Sequence, residues 1–333
     1  NLVLIVYPLL LLLYINPIGG NDIKIGKYVS LLYGALIFVA FRMVGHKMSG
    51  ELFSKVVYFY LFFTFLIFAM PDQMIEFQNL FIRDTNSIDV YGYRGVSTLA
   101  TEPGLLGGLL VFFLLTNDYL LKSNKLTLKA YGTNFLCITA IILATKSGAG
   151  YLYFIIYLVM RSFFSIKNIF NKILLVSILA SVMAVIVSSS FGSELGRGFH
   201  ILEQLSNPSK LIESDTSITG RLLDFWIGIQ SVFIYPFGVG VGNNDQAVLN
   251  IIFSVGGFLA SYYSTGETIG LVSSFSYFTV VYGLFFIVYI LFMYIYIARC
   301  GIPNKFFSFL FLSTSFSAAF PAIWVLLLYR KSK

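Results

Sequence analysis

The sequence predicts an all-α fold, a polytopic bundle of transmembrane helices. Three observations lead there. Hydrophobic residues make up 58% of the 333 residues and charged residues only 11%; apolar runs recur from one end of the chain to the other; and the basic residues gather in the short connections between those runs. Soluble domains carry about 25% charged residues, so lipid is the expected solvent for most of this surface.

The runs follow in order. The chain opens at Asn1 and is apolar from the next residue, which predicts a truncated or processed N-terminus, not a signal peptide ahead of a globular body. Residues 56–70, 173–187 and 271–298 approach or exceed the roughly 20 residues that cross a bilayer, and the whole chain accommodates about 9–11 spans. Residues 105–115 and 151–160 are short for full crossings and predict tilted or partly buried helices. The last run, 306–328, contains Pro321, which lacks a backbone donor and breaks a helix, so a broken hairpin is expected there. Ser317, Ala318 and Ala319 just before it are small enough for close packing. No internal repeat is visible, which argues against a transporter built from inverted repeats.

Charge assigns the sides. Arg42, Lys47 and Lys55, then Lys122, Lys125 and Lys129, then Arg161, Lys167 and Lys172, then Arg299 and Lys305 occupy alternate connections. With the tail Arg330, Lys331 and Lys333 they hold 14 of the 22 Lys and Arg, against only Glu51 and Asp118 of the 15 acidic residues. The positive-inside rule makes those connections cytoplasmic. The net charge of +7 thus reads as topology and not as a nucleic-acid footprint. The expected organisation is N-terminal membrane helices over 1–71, a first external segment over 72–104, central helices over 105–190, a large external loop with short amphipathic helices over 191–270, and C-terminal helices over 271–333. Cys137 lies in an apolar run and Cys300 beside basic residues, so no disulfide across the bilayer is expected.

The external segments concentrate the polar chemistry. Arg94 precedes Thr101-Glu102-Pro103-Gly104, where Pro103 suits a first helical turn and Glu102 sits near the positive helix end. That carboxylate is as well suited to capping as to chemistry. The longer loop carries Arg197 and His200, then Thr219-Gly220-Arg221 and Trp226, then Pro236-Phe237-Gly238-Val239-Gly240. Residues 222–234 are too short to span and predict an interfacial helix holding Arg221 at membrane level. The alternating glycines would let backbone donors approach a ligand, although they lack the strand and helix context of a nucleotide site. Arginine suits a diphosphate because its planar fork donates two parallel hydrogen bonds and keeps its charge. Arg94, Arg197 and Arg221 are the candidate clamps, with anchoring to lipid phosphates as the competing role for each. A lone histidine such as His200 is more often structural. Lys146-Ser147-Gly148 reads as a hairpin turn. There is no zinc-spaced His/Cys cluster, no paired aspartates of a metal-dependent transferase and no nucleophile elbow, so a metal-independent reaction without cofactor is expected.

Arg94 with Glu102-Pro103-Gly104, the Thr145-Lys146-Ser147-Gly148 turn, Thr219-Gly220-Arg221 with Trp226, and Pro236-Phe237-Gly238-Val239-Gly240 follow one another in this order. The pattern, over about 94–283, resembles the bacterial O-antigen polymerase and O-antigen ligase superfamily. The resemblance implies a multi-pass protein of the bacterial inner membrane with the C-type membrane glycosyltransferase fold and its active site on the periplasmic side. It implies an undecaprenyl-diphosphate-linked oligosaccharide as substrate, with a chain-length regulator and a flippase as partners. In the polymerase version the growing glycan passes from its lipid diphosphate to a sugar hydroxyl of a new repeat unit, building O-antigen, capsular or exopolysaccharide. Arg221 falls at the family's Gly-Arg position and, with Arg94 or Arg197, would neutralise the departing diphosphate. Ligases of the superfamily commonly carry a histidine before the helix after the large loop, where this chain has Gly266-Glu267-Thr268. That departure favours polymerase over ligase and leaves the base open among Glu267, Glu102 and His200. A flippase or transporter of lipid-linked oligosaccharide is the rival from another class.

Overall fold

The computed structural model describes residues 2–13, 25–44, 48–79, 96–100, 103–165, 216–240, 244–255, 271, 273–298, 300–314 and 317–329. Every regular element among them is helical, so the fold is all-α. The chain divides into two compact units, Met48–Asp215 and the combination of Asn1–Lys47 with Thr216–Lys331. The expected span over 173–187 lies outside the described residues.

The unit Met48–Asp215 contains α3 (Gly50–Ala69), α4 (Pro71–Asn79), α5 (Pro103–Lys122), α6 (Leu128–Ala144) and α7 (Gly148–Ser165). Ser49 and Thr127 start α3 and α6 by accepting the free amides of Leu52 and Ala130, the usual work of an N-cap hydroxyl. Helices α3 and α5 are long and apolar enough to cross a membrane. Both α5 and α7 run well beyond the short helices expected over 105–115 and 151–160. The expectation ended α5 at its polar residues, but those residues find partners inside the bundle and the helix continues through them.

That polar interior is specific. Asn117 donates to the carbonyl of Tyr131, and Asn134 bridges Asn117 at 3.2 Å and Ser54 at 3.0 Å. The Tyr131 and Tyr157 hydroxyls each donate to the Asp118 carboxylate at 2.9 Å. The Arg161 guanidinium lies 3.7 Å from Asp118 and stacks over the Tyr131 ring at 5.3 Å. Four helices thereby share one hydrogen-bonded network, in which removing one member strands the others. Asp118→Ala leaves two hydroxyls and a guanidinium without their acceptor and is expected to lower stability by about 2–4 kcal/mol. Asp118→Asn, which keeps an acceptor, should cost markedly less; thermal unfolding of the purified chain in detergent distinguishes the two.

The apolar side chains of this unit point both ways. Along α3, Phe53, Val57 and Ile67 are buried with Ser54 and Thr64, while Leu52, Phe59, Phe62, Phe65 and Phe68 are exposed. A water-soluble helix exposes its polar face, whereas beyond the exposed Glu51–Lys55 pair of its first turns this helix turns Ser54 and Thr64 inward and Phe59, Phe62, Phe65 and Phe68 outward.

The other unit contains α1 (Leu2–Leu13), α2 (Ile25–Val44), α8 (Thr216–Ile234), α9 (Asn244–Val255), α10 (Ser274–Tyr282), α11 (Leu284–Phe292) continued by a π turn over Met293–Ile297, α12 (Ile302–Ser313) and α13 (Pro321–Leu326). The run 271–298 is not one helix. It breaks at Gly283, whose φ of +54° with ψ of −132° belongs to glycine's private region. The break is filled by the loop after α8: Val239 and Gly240 donate to the carbonyls of Val280 and Val281 at 3.0 Å, and Leu284 donates to Pro236 at 2.7 Å. Without those bonds the interrupted helix would bury unpaired backbone groups.

The second break falls at Pro321, the first residue of α13, and α13 packs back on α12. The Trp324 indole donates to Ala318, and Ser308 of α12 donates to Ile323. Gly34 of α2 packs so closely here that a Cβ would run into the Trp324 indole and the Ala318 carbonyl, so the small residues before Pro321 admit a neighbouring helix. Cys300, between the π turn and α12, is a free thiol that burial pushes up to about 11. At pH 8 its thiolate is scarce, and iodoacetamide is expected to label it about a hundredfold more slowly than an ordinary thiol. Because the folded state holds the proton more tightly, the stability gained from the neutral thiol persists at pH 8 and is lost as pH rises toward 11. Labelling rate against pH, followed by mass spectrometry, checks this.

Candidate functional site

Of the six sequence-predicted site residues, the structure describes Arg221. Arg94, Glu102, Arg197, His200 and Glu267 lie outside the described residues. Arg221 stands in the second turn of α8, which begins six residues before the interfacial helix expected over 222–234. Its side chain is half-buried and forms no ion pair or hydrogen bond with any described residue. A guanidinium held in a helix with no carboxylate of its own is poised to meet an anion from elsewhere.

The same face of α8, followed onward from Arg221, explains how Arg221 is held. Asp224, Gly228 and Ser231 are buried, while Trp226 and Phe233 are exposed. Asp224 accepts the amide of Ser273, the N-cap of α10, at 2.5 Å, a charge-assisted bond at the positive end of a helix. Ser273 in turn accepts the Ser276 amide. Gly228 packs against Ser276, where a Cβ would come within 2.8 Å of the Ser276 Cα. The small and polar residues of α8 therefore clamp it onto α10 one turn beyond Arg221. Asp224 had been visible in the sequence only as a neighbour of Trp226.

The glycine loop does not do what its spacing suggested. The amide of Gly238 donates to Tyr235 at 2.8 Å, and those of Val239 and Gly240 to Val280 and Val281. Those donors are consumed within the fold, so Pro236–Gly240 presents none of them to a ligand. Glycine is needed for geometry instead: Gly238 and Gly240 have φ of +75° and +74°, and a Cβ on Gly238 would strike the Val281 carbonyl.

In the unit Met48–Asp215 the described segment 96–100 meets one of the sequence motifs. The amide of Val96, two residues beyond Arg94, donates to Ala144 at 3.1 Å, directly before Thr145-Lys146-Ser147-Gly148. That segment is a helix-connecting turn, as its composition suggested. Lys146 takes φ of +44°, the Thr145 hydroxyl accepts the Ser147 amide, and the Ser147 hydroxyl accepts the Gly150 amide to start α7. Gly107 of α5 lies against Gly150 here, so that a Cβ would collide with its backbone.

The segment 96–100 also holds what the sequence did not reveal. Val96 is buried with Ile67 and Met74. Ser97 and Thr98 are wholly buried, and Gln78 of α4 donates its side-chain amide to the Thr98 carbonyl. Yet Ser97 Oγ, Thr98 Oγ1 and Gln78 Oε1 have no hydrogen-bond partner among the described residues. Each such atom costs about 1–3 kcal/mol if nothing meets it. Thr98 also adopts φ of +48°, uncommon for a β-branched residue. The other buried atoms without a hydrogen bond, one each in Asn134, Thr139, Asp224, Tyr289 and Ser313, are dispersed along helices; among the described residues three lie close together only here. The one sequence signal was position, since Ser97 and Thr98 sit between Arg94 and Glu102.

No protein-family model matches the chain, and neither does any curated protein or solved structure.

Proposed function

We propose that the chain is a polytopic membrane protein of the bacterial inner membrane that polymerises undecaprenyl-diphosphate-linked oligosaccharide repeat units on the outer face. The observation that carries this reading is Arg221: a half-buried guanidinium without an acidic partner among the described residues, on a helix whose exposed side chains among the described residues, Trp226, Phe233 and Ile234, are large and apolar. Its environment suits a diphosphate at the edge of a lipid phase. The outward phenylalanines of α3 support the lipid phase itself.

In the proposed reaction the hydroxyl oxygen of the incoming repeat unit attacks the anomeric carbon of the growing chain. The bond from that carbon to the diphosphate breaks, the lipid diphosphate leaves with the electron pair, and a base takes the hydroxyl proton. Direct displacement of this kind inverts the anomeric centre. Arg221, with Arg94 or Arg197, stabilises the charge that develops on the leaving oxygen. Glu267, Glu102 and His200 remain the candidates for the base.

The decisive experiment mixes the purified chain with lipid-linked repeat units, without nucleotide or added metal. A ladder of longer glycans with release of free undecaprenyl diphosphate supports polymerisation. Movement of the lipid across a vesicle membrane with no ladder would instead mark a flippase, and transfer to lipid A core a ligase.

A further inference from the structure

We propose that Gln78, Ser97 and Thr98 form a binding site for a neutral, hydroxyl-rich ligand, a sugar residue of the glycan. The assignment of the ligand to carbohydrate rests on the glycosyl-transfer reading; the site itself rests on the three orphaned atoms.

Ser97, Thr98 and Gln78 are at most 1% exposed, and each directs one polar atom to no partner among the described residues. The great majority of buried polar groups in folded proteins are satisfied, so three neighbouring ones left open, held together by the Gln78 to Thr98 bond, mark a place that another molecule completes. The chemistry of the set narrows that molecule. Two hydroxyls donate or accept, and an amide carbonyl accepts only. None is charged, which suits an alcohol and not a diphosphate, the reverse of the arrangement at Arg221. The backbone is held for the purpose: Gln78 binds the Thr98 carbonyl, Ala100 donates to Ser97 at 2.9 Å, and Val96 is fixed both to Ala144 and to the apolar cluster of Ile67 and Met74. Thr98 is kept in a left-handed conformation that a mere connecting segment would relax. Strain and unmet polarity at one spot are what a fold retains when the spot serves a ligand.

The test uses the full chain in detergent and two probes: the water-soluble glycan released from the lipid-linked repeat unit by mild acid, and undecaprenyl diphosphate alone. Wild-type protein is expected to melt at a higher temperature with the glycan. The double variant Ser97→Ala, Thr98→Val should melt at or above the wild-type temperature without glycan, because its unmet hydroxyls are gone. It should lose the glycan-induced shift and raise the KM for lipid-linked repeat units about tenfold, the equivalent of one lost hydrogen bond. A retained glycan shift would overturn the proposal. So would a lower melting temperature without glycan, which assigns the cluster to structural water. Should the double variant fail to accumulate, Ser97→Ala alone carries the same readout through the loss of one hydroxyl. The second probe separates this site from the diphosphate clamp: a glycan shift without one from undecaprenyl diphosphate leaves the sugar site standing and removes the clamp.

Discussion

Arg221→Lys is expected to reduce the glycan ladder at least about a hundredfold while the protein stays in the membrane at its wild-type level. The two side chains carry the same charge, so the effect depends on geometry. A guanidinium offers a planar fork to two diphosphate oxygens, whereas an ammonium on a flexible stem meets them as a point. Losing one preorganised donor to a developing oxyanion costs about 2.7–4 kcal/mol of barrier, which corresponds to the predicted loss. Arg221 lies in the second turn of α8, and the anchors of that helix to α10 are Asp224 and Gly228. Lysine therefore leaves the helix pairing intact. Polymer of wild-type length from the lysine variant, with immunoblots showing equal protein, would remove Arg221 from the clamp. Arg94→Lys is expected to fail in the same assay.

Gly283→Ala is expected to destabilise the protein by more than about 3 kcal/mol, although it adds a single methyl group. The backbone there occupies a region that L-residues avoid, and the new Cβ would run into the Pro236 carbonyl and the Gly238 amide. Relief requires the loop to leave the break between α10 and α11, which strands the Val280 and Val281 carbonyls and the Leu284 amide. Gly132→Ala is the matched control. It lies inside α6 with nothing within 4 Å of its built Cβ, so alanine should be neutral or stabilise by up to about 1 kcal/mol. Similar melting temperatures for the two variants would contradict the role given to the break.

The helical class, the break at Pro321 and the Thr145–Gly148 turn were legible because each follows from a local rule: apolar composition, a missing backbone donor, a short polar run. The interruption at Gly283 was not. Nothing in Phe278 to Val288 departs from an apolar helix except one glycine, and the cause lies forty-odd residues earlier, in Pro236–Gly240. The same long-range pairing misled the reading of the glycine loop, whose flexibility pointed to a ligand while its amides were already committed. Polar residues in α5 were likewise misjudged. Asn117 and Asp118 look like a helix end until Tyr131, Tyr157 and Asn134 from other helices are seen to meet them. For the candidate site, sequence order brought Arg94 and the Lys146 turn into one pattern; Arg94 lies outside the described residues, and the Val96 to Ala144 bond ties the segment 96–100 to the turn. Ser97 and Thr98 gave no signal beyond their position, because an orphaned hydroxyl is defined only by what surrounds it.

The clamp between α8 and α10 bears on how the chain is made. On the proposed membrane reading, α8 enters an apolar phase carrying Asp224 near its midpoint, and a charge there is disfavoured by about 2.5–3.5 kcal/mol in an inserting helix. The amide that donates to Asp224 Oδ2 belongs to Ser273, which the ribosome adds after α8 is complete. Helix α8 is then poorly fitted to insert by itself and would wait at the membrane surface until its partner is synthesised. The pair, and not the single helix, becomes the unit of insertion, and Arg221 reaches its depth only when α10 has been made.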